Sequence, residues 1–184
     1  SERYVSGGGD DVLDGGRGDD EILAGAGSDT IEGGRGNDII YGGEGNDVIT
    51  DQDLTSTSGQ KLYGEGGDDI ITGGGQIDGG DGDDTIKVTE TGNNRWDSRV
   101  WGGDGDDHIT LDGGEVAYVY GGFGDDVFAI YSWFSSLYAD DDNYWDSNTD
   151  GGNDTVTLDG SFEIYEVYLG SGDDALDVSD WSGN

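Results

Sequence analysis

The chain has no cysteine, no proline and no methionine. Without cysteine it forms no disulfide and offers no thiolate to a metal. Basic residues are scarce: seven Lys and Arg stand against 43 Asp and Glu, a formal net charge of −36. Such acidity repels phosphate, which argues against nucleic acids and anionic membranes as partners. Large apolar residues are also few. Leu, Ile, Val and Phe number 36 among 184 residues, which at this charge is the composition of a disordered chain in plain water. No stretch nears the length of apolar sequence that spans a membrane. Ser1 to Val5 lack the charged and apolar regions of a signal peptide, so none is expected. Catalysis is not expected either. His108 is the single histidine, on the outward side of its strand, and neither a G-x-S-x-G elbow nor a nucleotide-binding glycine loop occurs.

Glycine is plentiful, with 39 residues, and it is periodic. From Ser6 the chain divides without a gap into SGGGDDVLD, GGRGDDEIL, AGAGSDTIE, GGRGNDIIY and GGEGNDVIT, covering 6–50. The unit is G-G-x-G-x-D-x-U-x, with U a large aliphatic. Its glycines permit a sharp turn with exposed carbonyls. Position 6 adds a carboxylate to the turn. The x-U-x that follows is a short strand with one side chain pointing inward. Two units make one coil of a flattened solenoid, so turns alternate between two edges and strands stack in parallel at about 4.8 Å.

Beyond Thr50 the turns recur at 64–72, 79–87, 102–110, 121–129, 149–157 and 169–177. Segments of other lengths lie between them: 51–63, 73–78, 88–101, 111–120, 130–148 and 158–168. Most end in another x-U-x, so each replaces a turn and keeps its strand. Segment 130–148 is the exception, because Asp146-Ser147-Asn148 offers no inward residue. The turn at 64–72 is expected to be shifted, because Glu65 stands in a glycine position. The turn at 149–157 is expected to be distorted, because Thr149-Asp150 replaces Gly-Gly. The expected inward residues are Leu13, Ile22, Ile31, Ile40, Ile49, Leu62, Ile71, Ile77, Ile86, Val100, Ile109, Val119, Phe128, Val156, Val167 and Leu176.

Counting half-coils assigns the acids to edges. One edge carries Asp11, Asp29, Asp47, Asp69, Asp84, Asp107, Asp126, Asp154 and Asp174. The other carries Asp20 and Asp38, then only the variable segments. Calcium takes six to eight oxygens in a tolerant geometry. One such turn offers about half a shell, and two stacked turns complete it. The ligands expected are these eleven aspartates and the carbonyl-presenting turn glycines Gly9, Gly18, Gly27, Gly36, Gly45, Gly82, Gly105, Gly124, Gly152 and Gly172. That spacing suggests about nine Ca2+ ions, eight on the long edge and at least one on the other, which would halve the net charge. Asp51 and Asp53 could add an irregular site. The neighbouring acids Asp10, Asp19, Asp68, Asp83, Asp106, Asp125 and Asp173 are expected to turn their carboxylates to water, and Asp140, in the aromatic segment 131–145, is expected to lie outside the ladder and not to affect calcium binding.

The nonapeptide is the calcium-binding β-helix unit of the RTX (repeats-in-toxin) proteins, and the chain resembles that family over about 6–177. The resemblance implies an all-β parallel β-roll of about nine coils, stapled by calcium between stacked turns. It forms one domain, 1–184, with regular nonapeptides over 6–50, elaborated coils over 51–177 and a tail over 178–184. It implies a chain disordered without calcium that folds outside a Gram-negative bacterium after type I secretion. The roll then stabilises a larger secreted toxin, enzyme or adhesin, of which this sequence reads as an excised block. An alternative follows from the aromatic residues Trp96, Trp101, Tyr118, Tyr120, Tyr131, Trp133, Phe134, Tyr138, Tyr144, Trp145, Tyr165, Tyr168 and Trp181. They lie in or beside the variable segments and the tail. There they either pack the loops and cap the solenoid, or use loops 130–148 and 158–168 to bind a polysaccharide or cell-surface ligand.

Overall fold

The computed structural model describes residues 1–51, 59–89, 98–113, 115–140, 152–162, 164 and 166–183. It contains β1 (Arg3–Val5), β2 (Val12–Asp14), β3 (Glu21–Ala26), β4 (Thr30–Glu32), β5 (Ile39–Glu44) and β6 (Val48–Thr50). There follow β7 (Lys61–Gly66), β8 (Ile70–Gly73), β9 (Gln76–Asp81), β10 (Thr85–Val88), β11 (Arg99–Asp104) and β12 (His108–Leu111). The last six are β13 (Glu115–Phe123), β14 (Val127–Ile130), β15 (Trp133–Asp140), β16 (Thr155–Gly160), β17 (Glu166–Tyr168) and β18 (Ala175–Trp181).

The odd-numbered strands form one nine-stranded sheet in chain order, here the front sheet. The even-numbered strands form a second, the back sheet. Every pairing is parallel. The all-β parallel β-roll read from the repeat is therefore the fold. No helix among the described residues is long and apolar enough to cross a membrane.

Two inward columns fill the space between the sheets. On the front sheet Ile22, Ile40, Leu62, Ile77, Val100 and Val119 stack in register. On the back sheet Ile31, Ile49, Ile71, Ile86, Ile109, Phe128 and Val156 do the same. All thirteen are buried, at 1% exposure or less. The ends differ from expectation. Leu13 and Val167 are only partly buried, and Leu176, paired with Val156 in the last described coil, is 45% exposed. Its column position is right, but no further described strand covers it.

Three corrections to the repeat follow. First, the coiling starts before Ser6: β1 pairs with β3 and places Tyr4 against Ile22 in the inward column. Second, segment 130–148 does contain a strand. Ser136-Leu137-Tyr138 within β15 aligns with Tyr118-Val119-Tyr120 and Glu166-Val167-Tyr168, and Leu137 is its buried inward residue. The strand comes early in the segment, so an x-U-x sought at its end was missed. Residues 146–148 themselves lie outside the described residues. Third, back-sheet strands from β8 onward extend by one inward position, held by Gly73 in β8 and by a large apolar residue from β10 on. Val88, Leu111, Ile130 and Leu158 are buried beside the main column. The elaborated coils thus bury more apolar side chain per turn than the nonapeptides do.

Candidate metal-binding edge

Turns that run from front sheet to back sheet define the first edge. They carry the nine aspartates expected of the long ladder, in the expected order. Each backbone N–H donates to the carboxylate of the next coil. Asp11 N–H donates to Asp29 Oδ1 at 2.7 Å, Asp29 to Asp47 at 2.7 Å, Asp47 to Asp69 at 2.7 Å and Asp69 to Asp84 at 2.8 Å. The series continues through Asp84 to Asp107 at 2.8 Å, Asp107 to Asp126 at 2.8 Å, Asp126 to Asp154 at 2.9 Å and Asp154 to Asp174 at 3.1 Å. Sequence separations within this series run from 15 to 28 residues. The edge therefore keeps its register although the segments feeding it vary.

Only one oxygen of each carboxylate is used in this way. The second, Oδ2, of Asp29, Asp47, Asp69, Asp84, Asp107, Asp126 and Asp154 is buried and has no hydrogen-bond partner. In Asp47, Asp69, Asp84, Asp107 and Asp126 it aims at the first glycine of its own turn. A methyl group added to Gly42 would overlap Asp47 Oδ2 and approach the Gly64 carbonyl oxygen of the next coil to 2.8 Å. Gly64, Gly79, Gly102 and Gly121 repeat that convergence of a carboxylate and a neighbouring carbonyl. The expected turn glycines Gly9, Gly27, Gly45, Gly82, Gly105, Gly124 and Gly172 all adopt left-handed backbone, with φ from 102° to 142°. So do Gly18 and Gly36 on the second edge.

Buried like charges raise each other's proton affinity. Burial, reinforced by neighbouring carboxylates, pushes the carboxyls of Asp69, Asp84 and Asp107 up to about 7 and Asp126 up to about 8. Asp154 is raised to about 6 by the same causes. Burial also raises Asp38 and Asp47. No Lys or Arg forms an ion pair with these aspartates among the described residues; the two pairs there are Arg3–Glu21 and Lys87–Asp112. Nor do three carboxylate or imidazole groups converge on one point among the described residues. The arrangement offers instead one carboxylate per turn, backed by carbonyls, repeated along the axis. Such oxygen-only sets suit a hard divalent cation.

Three expectations change at this edge and one holds. The turn at 64–72 is not shifted. Glu65 adopts φ 78° in the glycine position, and Gly67 keeps the next one at φ 117°. Gly67 therefore joins the turn glycines. Gly152 alone among the expected glycines lacks a left-handed φ, which fits the distortion anticipated there. The acids one residue before the ladder do not simply face water. Asp10, Asp19, Asp68, Asp83, Asp106 and Asp125 accept backbone N–H groups from the following coil, at 2.7–3.2 Å. Asp173 donates its N–H to Asn153 Oδ1 at 2.9 Å. This outer ladder runs opposite to the inner one. Finally, Asp140 belongs to the edge. It is 8% exposed, accepts the Ser171 N–H at 2.5 Å and raises the proton affinity of Asp154.

The second edge begins with the same device and loses it. Glu2 N–H donates to Asp20 Oδ1 at 2.6 Å and Asp20 N–H to Asp38 Oδ1 at 2.7 Å. The next residue in that column is Gln60, whose neighbour Lys61 bonds to the Asp38 carbonyl at 2.9 Å. Gly75 and Ser98 follow it. Asp51 is buried near Asp38, with both carboxylates beside Gly33; Asp53 lies outside the described residues.

The aromatic residues are largely not loop residues. Trp101, Tyr118, Tyr120, Tyr138 and Tyr168 stand on the front sheet, with Trp101–Tyr120, Tyr120–Tyr138 and Tyr138–Tyr168 stacked at 5.8, 5.1 and 5.0 Å. Phe134 is core and packs on Phe162, whose carbonyl accepts the Trp181 indole N–H at 3.0 Å. Those three pack the end of the roll. Trp96, Asp141, Asp142, Tyr144, Trp145 and Tyr165 lie outside the described residues.

Searches of curated proteins and of solved structures each return no match. The sequence does match the RTX calcium-binding nonapeptide repeat (4 copies) at residues 1–31, 23–50, 61–78, 76–88 and 97–115. These stretches cover just over half the chain and stop before the last coils, whose ladder the structure continues to Asp174. By its repeats and its β-roll, this chain belongs to the RTX calcium-binding nonapeptide repeat family.

Proposed function

We propose that this β-roll is a calcium-dependent folding unit of a larger secreted protein, unfolded in the absence of calcium and folded once calcium is supplied outside the cell. One observation carries the proposal: a column of buried aspartates with unpartnered oxygens that form no ion pair with Lys or Arg among the described residues. In the cation-free roll these carboxylates lose hydration and repel one another, and folding must overcome both effects. A divalent cation between successive turns reverses the sign of the interaction. Because the stacked turns do not exist in the unfolded chain, the cation's binding free energy becomes folding free energy. The ligands on the first edge are Asp11, Asp29, Asp47, Asp69, Asp84, Asp107, Asp126, Asp154 and Asp174. Asp20 and Asp38 serve the second. The turn carbonyls complete each shell, for about nine ions in all.

Sites of one carboxylate per turn suit affinities of about 10⁻⁴–10⁻³ M, the range of extracellular modules. A chain with such sites stays unfolded at cytosolic calcium and exportable through a type I channel. Its role is then structural, stabilising the secreted polypeptide that contains it, with no catalytic residue of its own. Native mass spectrometry and limited proteolysis test this together. With millimolar calcium the chain should carry about nine ions and resist protease; in chelator it should be digested within its repeats. Protease resistance in chelator, or a load of one or two ions, would refute the proposal.

A further inference from the structure

The front sheet presents an outward column, one residue per strand: Val5, Leu23, Tyr41, Tyr63, Asp78, Trp101, Tyr120, Tyr138 and Tyr168. From Tyr41 onward every member is aromatic except Asp78. Tyr41 and Tyr63 stack at 4.9 Å with planes 10° apart. On the other side Trp101 stacks on Tyr120 at 5.8 Å and 8°. Each run therefore ends in a ring whose outer face meets the layer of Asp78. Asp is the shorter side chain, so the two rings stand as walls and its carboxylate forms the floor. A groove of about 360 Å³ occupies this place, lined by Tyr63, Gln76, Asp78, Trp101, Asp104 and Tyr120 among others. No hydrogen bond or ion pair engages the Asp78 carboxylate among the described residues, although the residue is partly buried.

We infer that the gap at Asp78 is a binding slot for a small alkylated ammonium ion, held between the rings of Tyr63 and Trp101 over the Asp78 carboxylate. Charge selects a cation: the floor is an uncompensated carboxylate and Asp104 adds another at the rim. Spacing selects its shape. Two strand steps place the walls about 9–10 Å apart. A cation in the middle layer is then about 5 Å from each ring, within the roughly 6 Å over which ring faces attract cations. Methyl groups touch a ring at about 3.5–4 Å, which holds an alkylated nitrogen near mid-slot against both walls. A flat guanidinium of stacking thickness reaches only one wall. A neutral sugar leaves the carboxylate without a counter-charge. Simple alkali ions keep their water and gain little from the rings.

Titration calorimetry on the calcium-saturated chain tests the slot, with tetramethylammonium chloride as probe and sodium chloride holding ionic strength constant. Binding in the millimolar range is expected, as two ring faces and one partly screened charge provide. The indole resonance of Trp101 should shift in nuclear magnetic resonance spectra of the unaltered protein. Asp78→Asn should weaken binding by about tenfold. Asp78→Tyr, which completes the aromatic column, should abolish binding while the calcium-saturated chain keeps its β spectrum. Several outcomes would overturn the inference. One is equal affinity in Asp78→Tyr, which would mean diffuse attraction to an acidic surface. Others are a silent Trp101 resonance, binding of methyl glucoside or methylguanidinium in preference to the ammonium, and binding to phosphatidylcholine vesicles without binding to choline.

Discussion

The two edges of the roll start alike and end differently. On the first, an aspartate occupies the last turn position in nine successive coils, and its N–H finds the next carboxylate whether 15 or 28 residues intervene. On the second, the same position holds Glu2, Asp20 and Asp38, then Gln60, Gly75 and Ser98. Gln60 is buried and its amide turns to the Asp51 carbonyl at 3.2 Å. A neutral side chain satisfied by backbone needs no ion. The second edge varies in length from the two residues 74–75 upward, whereas the first keeps three residues between strands from β3 through β14 and then admits one long segment, 141–154, between β15 and β16. The later coils, where the second ladder has ended, also bury Val88, Leu111, Ile130 and Leu158.

Breaking the first edge should have the greatest effect. Asp107→Ala removes a buried carboxylate in mid-ladder, whose Oδ1 accepts the Asp84 N–H and whose Oδ2 has no partner. It should raise the calcium midpoint of folding by about tenfold or more. Asp38→Ala, at the end of the short ladder, should raise it less. A calcium titration of both variants checks the order; equal midpoints would erase the difference between the edges.

Acidity should act on the same column. The carboxyls of Asp69, Asp84, Asp107 and Asp126 are raised to about 7–8 against an ordinary value of 3.8. The calcium-free roll thus binds protons more tightly than the unfolded chain. That proton-linked support is complete below about pH 4 and is lost as pH rises through 7–8. Calcium competes with those protons, so its uptake should release protons and its midpoint should fall from pH 6 to pH 8. Titrations at both values check this, and a pH-independent midpoint would contradict it.

Finer changes sharpen the contrast. Asp140→Ala should produce a smaller rise than Asp107→Ala, because Asp140 flanks Asp154 without belonging to the column. Gln60→Asp should extend the second ladder by one step and add one calcium ion, counted by native mass spectrometry. Glu65→Gly should stabilise the loaded roll by about 1 kcal/mol, since φ 78° is strained for any residue with a Cβ. Thermal denaturation in saturating calcium would show it.

Much of this was legible in the sequence because the repeat fixes two things at once, a turn and an inward residue. Asp11 to Asp174 could be assigned to one edge by counting half-coils, and the bonds between them follow that count. What escaped was whatever depends on a partner coil. Leu137 was hidden because its strand comes early in a long segment, where only pairing with Val119 and Val167 reveals it. Asp10 and its equivalents look solvated until the next coil offers an N–H. The aromatic residues read as loop decoration because single positions do not show a column. Gln60, Gly75 and Ser98 share no residue type, so only the stacking places them in one line.

The most direct test of calcium-driven folding is far-UV circular dichroism of the chain during a calcium titration, with magnesium at equal concentrations as control. Calcium should convert a coil spectrum to a β spectrum steeply and cooperatively, while magnesium, which demands tighter octahedral geometry, should not. A β spectrum already present in chelator would contradict the account: the core alone would then hold the roll, and the aspartate column would be no more than an accessory to it.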